Sequence, residues 1–308
     1  APTTAERVSP SGTIGLLGTM LSSVLFAGLA VLISELRDTR VHTLQELEQL
    51  YGANVIGQIP DFSKDTATRK LLKELRKSNL STMSPELIAY HDTKSTFCET
   101  IRTIRTQILF SLGAKGQVIA ITSPQQGDGK STITSNLAIS LACANKRVVL
   151  VDCDLRRPNV HNLFGLNPTP GLSDVCLGHI DLEDSLQSTL VENLRILTSG
   201  NIPENPSELL CTEPFSQVLQ TLRDKFDLIV LDCPPVLPVT DATVIAPQTD
   251  GIVVVTKPDG ESLIMSQECH RITSRLNCNL LGLVVNRSEF LDSGYYKKYQ
   301  GSYQANSQ

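Results

Sequence analysis

SPQQGDGKST, Ser123–Thr132, is the stretch on which the fold turns. It stands between an apolar run, QVIAIT (Gln117–Thr122), and a helical pattern over Ser131–Ala144. A glycine-bearing turn that leaves a strand and enters a helix aims backbone N–H groups at phosphate oxygens, where the helix dipole also favours negative charge. Gly127 and Gly129 let the turn present those groups. Lys130 brings a cation to the β and γ phosphates, and Ser131 offers a hydroxyl to Mg²⁺. Pro124 stands where G-x-x-x-x-G-K-S has its first glycine, so the textual motif is incomplete.

Two further segments strengthen the phosphate-loop reading. VVLVDCDLRRP (148–158) ends an apolar run with Asp152 and Asp154, and DLIVLDCPPV (227–236) ends another with Asp232 followed by two prolines. Each aspartate alone suits a turn or a helix N-cap. Three of them at strand ends downstream of GKS suit a metal and phosphate site, because the carboxyl ends of parallel strands share one sheet edge. Strands are expected at 117–122, 147–151, 194–197, 228–231, 251–256 and 280–285, with helical patterns between them. Such short apolar runs predict an α/β fold, a mostly parallel sheet with helices on both faces.

Upstream, Val8 to Ser34 contains no charged residue, and TIGLLGTMLSSVLFAGLAVLIS (13–34) is apolar or small almost throughout. About 20 helical residues cross a hydrocarbon core of roughly 30 Å, so a transmembrane helix is expected over 11–34. The chain opens on Ala1 rather than Met, and Glu35-Leu36-Arg37-Asp38 follows the run where a signal peptide would have a cleavage site. It therefore reads as part of a longer protein, with 1–10 ending an extracytoplasmic segment. Arg37 and Arg40 after the run favour a cytoplasmic C-terminal side. Leu44, Leu47 and Leu50 mark a short amphipathic helix, and a strand-like piece ends at Pro60. Residues 35–92 as a whole read as a juxtamembrane connector, in which Lys70, Lys73, Arg76 and Lys77 form a solvated helix face.

The 308 residues are 41% hydrophobic and 19% charged with a net charge of -5, a balance that gives no reason to expect nucleic-acid binding. Eight cysteines scattered without a CxxC pair read as reduced thiols.

On these residues the sequence resembles the bacterial tyrosine kinases, or BY-kinases, of polysaccharide co-polymerases. SPQQGDGKST is similar to that family's Walker A motif, LVDCDLRRP to its Walker A′ motif and IVLDCPPV to its Walker B motif. The similarity runs on through 156–179, SGNIPENPSELL, VTDATVIAPQTDG and VVNRS, and back through 36–60 to the membrane run. Partition and division-site ATPases have a second lysine five positions before the loop lysine, where this chain has Gln125. The resemblance implies a P-loop kinase domain over 93–290 that takes ATP and Mg²⁺. Gly127, Asp128, Gly129, Lys130, Ser131 and Thr132, with Asn286 and Arg287, would hold the nucleotide. Ser131, Asp154 and Asp232 would serve the metal, and Lys130, Asp152 and Asp154 the catalysis, with Asp152 the candidate base. Which of Asp152 and Asp154 faces metal stays open.

The resemblance also gives a role to Glu99, Arg102 and Arg105, similar to an E-x-x-R-x-x-R motif that joins subunits into a ring; by spacing alone they read as intrahelical ion pairs. Tyr295, Tyr296, Tyr299 and Tyr303 crowd a flexible tail, 291–308, and read as phosphoacceptors reached in trans. The implied partners are further copies of the chain, a protein-tyrosine phosphatase, and polysaccharide polymerase and export proteins at the bacterial inner membrane. The alternative is a co-polymerase scaffold that binds ATP only to assemble.

Overall fold

The computed structural model describes residues 12–37, 43–61, 72–75, 83–257, 263–276 and 278–288. It divides into two units, Ala1–Arg40 and Val41–Gln308. The first holds one helix, Gly12–Arg37. Its described side chains, between Leu16 and Ile33, are exposed on every side of the helix, Leu21 and Phe26 at 68% and 77%. The hydroxyls of Thr19, Ser22 and Ser23 donate to carbonyls three or four residues back, which conceals their polarity within the helix. Among the described residues, no helix is long and apolar enough to cross a membrane.

The second unit is an eight-stranded sheet between two helical layers. The strands are β1 (Val55–Pro60), β2 (Val118–Thr122), β3 (Val148–Asp152), β4 (Leu186–Ser188), β5 (Leu194–Leu197), β6 (Leu228–Asp232), β7 (Gly251–Thr256) and β8 (Leu280–Ser288). Their order is β1-β8-β7-β2-β6-β3-β5-β4. Every pairing is parallel except β4 with β5.

Strand residues alternate between the two core layers, as the period of two requires. Ile119 and Ile121 join the layer of Ile104, Ile108 and Leu137, while Val118 and Ala120 join that of Phe215, Leu219 and Leu222. All of β2, β3, β6 and β7 is buried, which is why these strands read as unbroken apolar runs. Helix Thr96–Leu112 starts under Ser95, whose Oγ accepts from the Cys98 N–H, and its Ile101, Ile104 and Ile108 are wholly buried against the sheet. Burying each such side chain contributes about 1.5–3 kcal/mol.

Part of the stretch expected as a connector is built into the sheet. Residues 43–61 are part of the second unit: β1 pairs with β8, and Leu47 and Tyr51 of helix Leu44–Tyr51 are buried in its core. A capping box fixes the start of that helix, Thr43 accepting from the Glu46 N–H and Glu46 from the Thr43 N–H. At Gly57 in β1 the Ile104 side chain occupies the space a Cβ would need, so a larger residue would force that side chain to shift. Of the four basic residues expected on a helix face, only Lys73 lies among the described residues.

Candidate functional site

Strands β2, β6 and β3 are neighbours, so the segments that follow them meet at one sheet edge. In register, Asp152 lies opposite Asp232, and Asp232 opposite Ile121, next to the residue that ends β2. The three motifs read from the sequence converge as a consequence of strand order.

The loop after β2 is shaped by its own side chains. Thr122 Oγ1 donates to the Pro234 carbonyl (2.7 Å), tying it to the segment after β6. Asp128 Oδ2 accepts from the Gln125 N–H at 2.9 Å, and burial pushes that carboxyl up from its ordinary pKa. Gly127 and Gly129 have φ of 91° and 89°, the left-handed region where other residues are strained. Asn286, at the end of β8, donates to the Asp128 carbonyl at 2.7 Å and fills the space beside Gly129. It braces the loop, whereas Arg287 is exposed beside it, outside the residues lining the cleft.

Lys130 begins helix Lys130–Ala142 and is 8% exposed. Its Nζ lies 2.9 Å from Asp154 Oδ2, 3.5 Å from Asp232 Oδ2 and 3.3 Å from Ser131 Oγ. Burial disfavours its charge, but Asp232 and Asp154 outweigh that and hold it above its ordinary value.

The three carboxylates have different surroundings. Asp152 is fully buried; its Oδ1 accepts from the Asp154 N–H (3.2 Å) and its Oδ2 from the N–H groups of Asn159 and Val160 (3.1 and 3.0 Å). Burial and then Asp232 push its pKa up to about 8. Asp232 is also fully buried, and burial raises it against the pull of Lys130. Its Oδ1 accepts from Thr134 Oγ1 at 3.2 Å, while Oδ2 has no hydrogen bond of normal geometry. Asp154 lies at the surface of the cleft, accepting from Lys130 through Oδ2 and from the Arg157 N–H through Oδ1 (3.0 Å). Asp154 is among the residues lining the cleft, whereas Asp152 is fully buried and is not.

The cleft has a volume of about 340 Å³, with Gly127, Gly129, Lys130, Ser131, Thr132 and Asp154 among its lining residues. Among the described residues no cluster of three His, Cys, Asp or Glu side chains could hold a metal. The donor set instead suits Mg²⁺, which binds through one or two carboxylates, water and phosphate oxygens. The buried Asp232 Oδ2 has no hydrogen bond, only the 3.5 Å ion pair to Lys130, and so keeps acceptor capacity for a metal-bound water.

Glu99 and Arg102 pair along helix Thr96–Leu112, and Arg102 also donates to the Thr93 carbonyl at 3.0 Å. Arg105 donates to the carbonyl and hydroxyl of Ser140 at 2.8 and 3.2 Å, linking this helix to the one that begins at Lys130. Each motif residue thus has an intramolecular contact. Tyr295, Tyr296, Tyr299 and Tyr303 lie outside the described residues.

Several contacts were missed from the sequence. Arg156 forms a forked pair with Asp241, itself fully buried, and reaches Ser207. Arg157 reaches from the turn after β3 to Gln126 in the phosphate loop at 2.7 Å. Two adjacent arginines, one residue beyond D-x-D, were the available signal. Asn136 Oδ1 accepts from the Ala89 N–H, and its Nδ2 donates to the Glu86 carbonyl, docking residues 86–89 on the loop helix.

The chain is similar to known proteins in sequence and fold. The ParA family, described as NUBPL iron-transfer P-loop NTPase, matches residues 115–301. The tyrosine-protein kinase YwqD of Bacillus subtilis is 36% identical over 226 residues, 72% of this chain and 95% of that protein. The tyrosine-protein kinase wzc of Salmonella typhi is 28% identical over 308 residues, 97% of this chain, and the match spans 42% of the Salmonella protein's length. The crystal structure of the chimerical protein CapA2B2 superposes with a TM-score of 0.70 at 33% identity, over 80% of this chain and 99% of that one.

Proposed function

The chain belongs to the bacterial tyrosine-protein kinases built on the ParA-type P-loop fold, and on that premise we propose that it transfers the γ-phosphoryl group of Mg·ATP to tyrosine hydroxyls. One observation carries this reading: a single buried ammonium, Lys130, stands between Asp154 and Asp232 at the mouth of a phosphate loop. With nucleotide present, Lys130 turns from the carboxylates to the β and γ phosphates, and the backbone N–H groups of Gly127 to Thr132 hold the remaining oxygens. Ser131 and Asp232 would then hold Mg²⁺ and its waters, leaving Asp154 to face the tyrosine. When bound, the metal would neutralise charge on the β and γ oxygens.

In the transfer, a tyrosine oxygen bonds to the γ phosphorus, the bond to the β–γ bridging oxygen breaks, and ADP leaves. The hydroxyl proton passes to the strand end Asp152–Asp154. Asp154 is nearer an entering tyrosine because it lines the cleft, and Asp152 orients the turn from behind. This shifts the first contact from Asp152, the base expected from the resemblance, to its neighbour.

The acceptors in this reading are Tyr295, Tyr296, Tyr299 and Tyr303 of a neighbouring copy. The neighbour docks through Glu99, Arg102 and Arg105 in a ring, a phosphatase resets the tail, and the assembly serves polysaccharide polymerisation and export. The uncharged run from Val8 to Ser34 anchors the chain at the inner membrane, a reading supported by the exposed apolar side chains of Leu16, Leu21, Phe26 and Leu29. The kinase unit lies on the cytoplasmic side, where ATP is.

The test is phosphotyrosine on the chain in detergent, measured by antibody with and without Mg·ATP. Signal that rises with Mg·ATP in the wild type and is lost in Lys130→Met and Asp232→Asn supports the reading. Equal signal in Lys130→Met overturns it. A wild type that binds ATP and assembles without phosphotyrosine returns the chain to the scaffold alternative.

A further inference from the structure

The nucleotide cleft has a second cation, which the transfer chemistry above does not use. Among the described residues lining the cleft, only Lys130 and Arg157 carry positive charge. Lys130 is buried between two carboxylates, whereas Arg157 is exposed and stands at the open side. Two contacts place it there. Its backbone N–H donates to Asp154 Oδ1 at 3.0 Å, which fixes the residue to the turn after β3. Its guanidinium then spans the cleft mouth to Gln126 Oε1 at 2.7 Å, so the cation hangs over the phosphate loop from the opposite wall.

We infer that Arg157 binds the terminal phosphate of the nucleotide, and that the neutral Gln126 parks the guanidinium until a triphosphate enters. The inference rests on the proposed ATP site and adds a positioning cation to it. The charge balance calls for one. Lys130 is already shared between Asp154 and Asp232 when the terminal phosphate arrives. A terminal phosphate brings more negative charge, and a planar fork with several donors is suited to receiving it. Exchange is easy because Gln126 holds Arg157 through an uncharged oxygen at an exposed position, unlike Arg156, which is clamped by a forked ion pair to the buried Asp241. Adjacent arginines of the same sequence thus divide into one that anchors the turn and one free to leave its partner. A diphosphate lacks the group Arg157 would meet, so the residue discriminates ATP from ADP.

The experiment is calorimetric titration of the 308-residue chain in detergent with Mg·ADP and with a Mg-bound non-hydrolysable triphosphate analogue. Wild type, Arg157→Ala, Arg157→Lys and Gln126→Ala are compared. The expected result is a loss of about tenfold or more in triphosphate affinity for Arg157→Ala, the scale of one charge-assisted contact, with Mg·ADP changed by less than about twofold. Arg157→Lys should recover part of the loss, and Gln126→Ala should leave triphosphate affinity equal or higher. Equal losses for both nucleotides, or no loss for either, would overturn the inference while the ATP site stands. A wild type that binds neither nucleotide would overturn both.

Discussion

Lys130 is the residue on which most of the site's energy depends. Among the described residues it is the one cation within ion-pair distance of Asp154 and Asp232, with Asp152 close behind. Removing one partner of a buried pair is costly because the other charge stays buried, and the typical loss is about 3–5 kcal/mol, less where water can enter. Lys130→Met should therefore lower the melting temperature as well as abolish transfer. Its carboxylates would have to stay charged without a partner or take up protons, and protonation costs more as pH rises above the ordinary aspartate range. The fall in melting temperature should then be larger at pH 8 than at pH 5, and an equal fall at both would argue against this electrostatic account. The loop lysine and the three aspartates were legible in the sequence because each has a fixed place in a strand–turn context. Arg157 was not, because its importance comes from Gln126, 31 residues away along the chain, and only folding brings the two together.

The elements that present the site have anchors of their own. β2 starts where Asp250, just before β7, accepts from the N–H groups of Gln117 and Val118, both at 2.8 Å, and pairs with Arg223 of helix Glu213–Lys225. Burial opposes ionisation of Asp250, but Arg223 and the two N–H groups outweigh it and hold the carboxyl below its ordinary pKa. A depressed carboxylate stabilises the fold fully above its unfolded pKa of about 3.9 and loses that contribution as pH falls through the folded value. Asp250→Asn should thus destabilise by roughly 1–3 kcal/mol at pH 7, and the difference from wild type should close in the most acid part of a melting series. A difference independent of pH would refute that account. On helix Thr96–Leu112, Arg102→Ala with Arg105→Ala should leave nucleotide binding intact and reduce sedimenting mass. Unchanged mass, where the wild type self-associates, would leave these arginines only their contacts to Glu99, Thr93 and Ser140. Strands buried on both faces were readable to within a residue or two, since β2, β3 and β6 are continuous apolar runs. β1 reads as strand-like but falls within the expected connector, because its mixed burial as an edge strand gives no sign of its partner, β8. β4 was missed: three residues, LQS, carry no period.

At the scale of the molecule, the proposal joins an ATP site to an acceptor tail through neighbouring copies. Each phosphate on Tyr295, Tyr296, Tyr299 or Tyr303 adds roughly -1.5 to -2 charge, which the nucleotide phosphates and the three aspartates would repel. Phosphorylated chain should consequently be less oligomeric than dephosphorylated chain at equal salt and concentration; identical sedimentation of the two would end the switch and leave the kinase reading intact. The most direct measurement mixes two variants. Lys130→Met, with its tail intact, is incubated with a chain that keeps Lys130 but carries Phe at all four tail tyrosines, together with γ-labelled Mg·ATP. Transfer between copies predicts label on tail tyrosines of the Lys130→Met chain only in the mixture, with none when that variant is incubated alone. Label in Lys130→Met alone, or no tyrosine label in either the mixture or the wild type, would contradict the account.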